Sequence, residues 1–184
     1  MNSYLRCIYL CISGNSYSIN SSEHLKKAHY IFLSLTVILI GLVYLRLLNR
    51  INLFGDEFPS VVHVIGLMIP MALLFFGYVA LRDIKVYSFW LVLSILMILV
   101  FTNFAELPAV QTERGSGLDT FKSLLGFLIV FQLCRIISLR ITGQEYVTPT
   151  RGGGTDLFDG RNPDVADYVM FACLFGSIFL AQAL

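Results

Sequence analysis

Residues 61–81 read VVHVIGLMIPMALLFFGYVAL, a run that contains no Asp, Glu, Lys or Arg. A helix of that length rises about 30 Å, the thickness of the hydrocarbon layer of a bilayer. Four other stretches are similarly long and mostly apolar: Tyr30–Leu48, Val86–Phe104, Phe121–Leu139 and Val165–Leu184. In lipid each peptide N–H and C=O must be satisfied within the chain, and a helix does this residue by residue. The expected fold is therefore an all-α membrane protein, a polytopic bundle of about five transmembrane helices. Residues 30–184 form the bundle, 1–29 a short cytoplasmic or interfacial segment, and 140–164 a polar loop before the last span.

Composition agrees. Hydrophobic residues make up 57% of the chain and charged residues 14%, against about 45–50% and 25% in soluble domains. A net charge of +1 offers no basic field for nucleic acid and no polybasic lipid-binding patch. No internal repeat of the kind that marks many transporters is visible. The stretch Tyr4–Ile12 is apolar but too short to span, and it lacks the cleavage site of a secretory signal, so an interfacial anchor is expected there.

Basic residues flanking spans are retained on the cytoplasmic side. If all five segments cross, Arg6, Lys26, Lys27, Arg82, Lys85, Arg135, Arg140, Arg151 and Arg161 share one side, and Arg46, Arg50, Arg114 and Lys122 the other. This imbalance predicts a cytoplasmic N-terminus, a C-terminus on the opposite side and no external domain after Leu184. The least secure crossing is the last, which carries Gln182. Tyr30, Tyr87, Trp90 and Tyr168 lie near span ends and fit interfacial aromatic belts.

Within the spans, Pro70 removes a backbone donor and predicts a kink, either a hinge or a static bend. Arg82, Asp83 and Lys85 make a polar turn that pairs the second and third spans as a hairpin. Ala172 and Gly176, and Cys173, Ser177 and Ala181, recur at intervals of four. Such small side chains let helices approach closely, so this face is expected to pack against protein, from this chain or from a partner.

Three groups of residues could carry chemistry. Asn103 and Glu106 end the third span, and Lys122 begins the fourth. A Glu106–Lys122 pair would line an ion path or, the favoured reading, form a salt bridge at headgroup level. Gln132 and Arg135 lie near the other end of the fourth span, with Asp167 as the expected partner of Arg135. Arg135 with Arg140 could alternatively grip an anionic headgroup, because a guanidinium matches phosphate geometry. The loop 140–164 offers Asp156, Asp159, Asn162 and Asp164 as hard oxygen ligands for a divalent metal, but their spacing does not make a calcium loop. The structural alternative makes Asp164 an N-cap and Asp167 its first-turn acid. The glycines of that loop lack the sequence of a phosphate loop. His29 and His63 fall at opposite ends of their spans, which disfavours a haem between them. Cys7 and Cys11 could be acylated beside the membrane, whereas Cys134 and Cys173 read as packing residues. No cofactor is implied.

The expected function is a non-catalytic accessory or assembly subunit of a larger membrane complex, in contact with membrane lipids and other membrane subunits. One alternative is a small transporter or channel with a path near Asn103, Glu106, Lys122, Gln132 and Arg135. Another is a membrane-embedded enzyme acting on a lipid headgroup. The balance leans away from an enzyme because the spans contain few paired charges and ample small and aromatic surface.

Overall fold

The computed structural model describes residues 19–48, 55–104, 106–107, 110–112, 115–149 and 162–180. The chain is helical. Helix α1 covers Ile19–Leu47, α2 Phe58–Ala72, α3 Ile84–Phe101, α4 Thr120–Ile141 and α5 Val165–Leu180. The sole strand pairing among the described residues is a two-residue antiparallel ladder, β1 (Gln111–Thr112) with β2 (Gly115–Ser116).

Four helical segments are long and apolar enough to cross a membrane: His29–Leu47, Phe58–Gly77, Ile84–Phe104 and Gly117–Ile141. They match the first four expected spans to within a few residues, and they suit a multi-pass membrane protein. The fifth expected span is represented by α5, whose 16 residues rise about 24 Å, short of the ~30 Å hydrocarbon layer. Residues 181–184, which would lengthen it, lie outside the described residues. So does the anchor expected at Tyr4–Ile12.

Local sequence accounts for the boundaries. Helix α1 starts well before its apolar run, at Ile19. Its hydroxyls bond back one turn, Ser34 Oγ to the Tyr30 carbonyl at 2.9 Å and Thr36 Oγ1 to Phe32 at 2.9 Å, so they enter the span without an unmet polar group. Pro59 stands in the first turn of α2, where its missing N–H costs nothing. Pro70 is buried inside the same helix, and three residues later the helix widens into a π turn, Leu73–Gly77. The Leu73 N–H is shared between the carbonyls of Ile69 and Pro70, a bifurcated contact where the α-helix passes into the wider π turn. A short 3₁₀ turn, Ala80–Arg82, then leads to Asp83, whose carboxylate accepts the Lys85 N–H at 2.9 Å and caps α3. Helix α4 ends at Gly143, whose φ of +68° is the left-handed turn that stops helices.

Helix α4 is the hub. It packs against α2, α3 and α5, and its buried stripe runs Phe121, Leu124, Phe127, Phe131, Arg135 and Ser138, steps of three or four that keep one face inward. Phe101 stacks on Phe121 with ring centroids 5.0 Å apart. Gly66 lets α2 touch the start of α4: a Cβ there would fall 2.0 Å from Thr120 Oγ1. Helix α1 is peripheral. It meets α3 through Phe32 against Trp90, and the turn after α3 through Tyr44 against Phe104, and it leaves Ile31, Leu35 and Ile38 exposed.

Candidate functional site

The densest polar arrangement gathers where α2, α4 and α5 meet, and a segment expected to be loop builds it. After the left-handed Gly143, the chain reverses and inserts Tyr146, Val147 and Thr148, all buried, into the end of the bundle. Arg135 reaches this segment from the inner stripe of α4. Its Nε and Nη2 donate to the Glu145 carboxylate at 2.9 and 2.7 Å, a forked, charge-assisted contact. The Arg135 side chain is 5% exposed and that of Glu145 28%.

Around this pair the backbone is pinned in several places. Ser138 Oγ donates to the Gln144 carbonyl at 2.9 Å, and the Arg82 guanidinium donates to the Tyr146 carbonyl. Arg82 also sits over the Tyr78 ring at 5.3 Å. The Tyr146 ring meets Tyr78 and Phe131 edge-on, with centroids at 6.1 and 6.4 Å. Thr148 Oγ1 donates at 3.0 Å to the carbonyl of Leu74, inside the π turn. The Val147 N–H donates at 3.2 Å to Asp167, which is fully buried. Asp167 also accepts the Asp164 N–H, while Asp164 accepts the Asp167 N–H, each at 2.9 Å. This is a reciprocal capping box, with Asp in the role usually taken by Glu. It is the N-cap arrangement that the sequence offers for these two acids.

The arrangement is a clasp. Side chains of Arg82, Ser138 of α4 and Asp167 of α5 bind peptide groups of segment 144–149, and Thr148 in turn bonds to the π turn that follows α2. The ion pair of Arg135 is with Glu145, where the sequence reading expects Asp167, because Gly143 returns the chain to within reach ten residues later. Arg140 is exposed, so the two arginines do not present a shared headgroup site. Gln132 lies about one turn earlier on α4, and its Oε1 is buried without a hydrogen-bond partner among the described residues.

The remaining candidates are scattered. Lys122 pairs with Asp119 at 3.0 Å, both side chains about two-fifths exposed. This replaces the expected Glu106 partner; Glu106 itself is exposed. Asn103 is exposed, and its Nδ2 bonds back to the Leu99 carbonyl at 3.2 Å. Lys122 and Arg135 stand about 20 Å apart along α4, and the hollow beside Lys122 measures about 20 Å³, room for about one water. Of the metal candidates, Asn162 and Asp164 are exposed, and Asp156 and Asp159 lie outside the described residues. The described residues contain no group of three or more His, Cys, Asp or Glu able to hold a metal ion.

One expectation about faces is corrected, and a second is narrowed to a partner outside this chain. Trp90 belongs to the interior: it is fully buried, and its indole N–H donates to His29 Nε2 at 3.0 Å. Tyr30 and Tyr168 are exposed, as belt residues are, while the half-buried Tyr87 donates to the Leu128 carbonyl at 3.2 Å. On α5, the stripe that packs on the bundle is Asp167, Met170, Leu174 and Ile178. Ala172, Cys173 and Gly176 of the small-residue face are exposed, Ser177 is half-buried and bonds back to the Leu174 carbonyl at 2.7 Å, and Ala181 lies outside the described residues. Large apolar side chains fill the space beside α4 better than small ones, so the small face turns outward.

Glu145, Tyr146 and Thr148 are the residues that sequence reasoning missed. The available signal was Tyr-Val set within an otherwise polar loop, directly after a Gly at a helix end and an acid ten residues from Arg135. Comparison with protein families, with curated proteins and with solved structures finds no match for this chain.

Proposed function

We propose that this protein is a non-catalytic subunit that assists the assembly or stability of a larger membrane complex. The observation that carries this reading is a contrast between polar and apolar groups. The buried charges, Arg135 and Asp167, are turned onto the chain's own carboxylate and peptide groups, whereas much of α1 and the outer face of α5 stay uncovered. An enzyme or carrier needs polar groups held open toward a substrate; a scaffold needs helix surface.

In this reading five segments cross the membrane with the N-terminus in the cytoplasm, and the short α5 is braced against α4 by the clasp. The clasp end gathers Arg82, Lys85, Arg135 and Arg140, which supports its lying on the cytoplasmic side. The transport reading draws little support: its five residues are divided between two ends of α4, and Lys122 and Arg135 are each engaged by a carboxylate.

The test is purification in mild detergent followed by native mass measurement. Copurification of other membrane chains at fixed stoichiometry supports the proposal, and recovery of a lone monomer overturns it. Ion or solute flux into liposomes that disappears in Arg135→Ala, with the fold retained, would replace it with the transport reading.

A further inference from the structure

A groove of about 230 Å³ opens between α1 and α3, at the end of the bundle that carries Lys85. Its walls are apolar, formed by Leu33, Val86 and Phe89, and its polar lining includes His29 and Lys85. Trp90 sets the state of His29. An indole N–H can only donate, so His29 Nε2 is the acceptor and the proton of the neutral ring sits on Nδ1. The groove thus combines the Lys85 cation and the His29 ring in its lining with a wall suited to an aliphatic chain. Asp83, the nearest acid in sequence, has a carboxylate oxygen bound to the Lys85 backbone N–H.

We propose that the groove binds one anionic phospholipid, with its phosphate between Lys85 and His29 and an acyl chain along Leu33, Val86 and Phe89. The charge of the site selects this occupant. A neighbouring apolar helix seated there would cover Lys85 without a counter-charge, which is costly, whereas a phosphate accepts from both donors. This inference is independent of the accessory-subunit reading, since a solitary chain could hold the lipid equally well.

Trp90 lines the groove and is the chain's sole tryptophan, so its fluorescence reports the occupant. The protein is reconstituted in phosphatidylcholine vesicles with a small fraction of brominated phosphatidylglycerol or, in parallel, brominated phosphatidylcholine. The expected result is stronger quenching by the anionic lipid, corresponding to a relative affinity of about fivefold for a single basic contact. Lys85→Gln removes that preference, and Arg140→Gln, an exposed arginine at the same end, leaves it in place. Equal quenching by the two lipids overturns the proposal. Equal loss in both variants also overturns it, by assigning the preference to general surface charge.

Discussion

The two ends of the bundle are held by different means. At the clasp end, polar groups far apart in sequence meet in a buried place: Arg82 with Tyr146, Leu74 with Thr148, Val147 with Asp167. At the other end, where α2 meets the start of α4, the contacts are steric and aromatic. Gly66 lies against Thr120, Phe101 stacks on Phe121, and Arg46 sits 5.4 Å over the Phe58 ring. Its ion pair, Lys122–Asp119, is local and solvated. The difference teaches where directional bonds matter. The clasp end contains non-helical backbone packed among helices, whose peptide groups need partners. At the opposite junction the close contacts run between helices, Gly66 on Thr120 and Phe101 on Phe121, and fit of shape leads.

That contrast can be broken at four points. The largest effect is expected for Arg135→Ala, which leaves Glu145 partly buried beside a vacated site. Because Glu145 retains some solvent, the loss is about 3 kcal/mol, the lower end for a broken buried pair, read as a fall in the unfolding midpoint in a detergent titration. Gly66→Ala comes next. The added methyl overlaps Thr120, and relief by displacing α2 from α4 costs about 1–3 kcal/mol; pairing it with Thr120→Ala, which removes the nearest atom, in a double-mutant cycle isolates the overlap with the hydroxyl. Thr148→Val keeps shape and removes the bond to the Leu74 carbonyl, for about 1 kcal/mol, and hydrogen exchange at residues 144–149 should rise more than elsewhere. Lys122→Ala sets the floor, below about 0.5 kcal/mol for an exposed pair. A Lys122→Ala loss as large as that of Arg135→Ala would erase the distinction between the ends.

The spans were legible because lipid imposes one rule at every residue, and a run such as 61–81 satisfies it without reference to any other segment. The capping acids Asp164 and Asp167 were legible for a similar reason: a helix start is a local event. Trp90 was not. An aromatic near a span end fits a lipid interface or an interior equally well, and the choice fell to His29, which lies on another helix and supplies the acceptor for the indole N–H. The partner of Arg135 was hidden by the reversal at Gly143, and the outward turn of Ala172, Cys173 and Gly176 by competition among faces of α5 for the same place against α4.

What the sequence alone determined is where the long apolar helices run, four of the five expected being long enough to cross a membrane, since apolar character is set by composition summed along each stretch. Which polar groups meet, which face of each helix turns inward, and the insertion of Tyr146, Val147 and Thr148 among the helices were decided only in three dimensions. Those outcomes depend on distances between atoms remote along the chain, and a hydrogen bond or ion pair at about 3 Å is lost with a displacement smaller than one residue's rise along a helix.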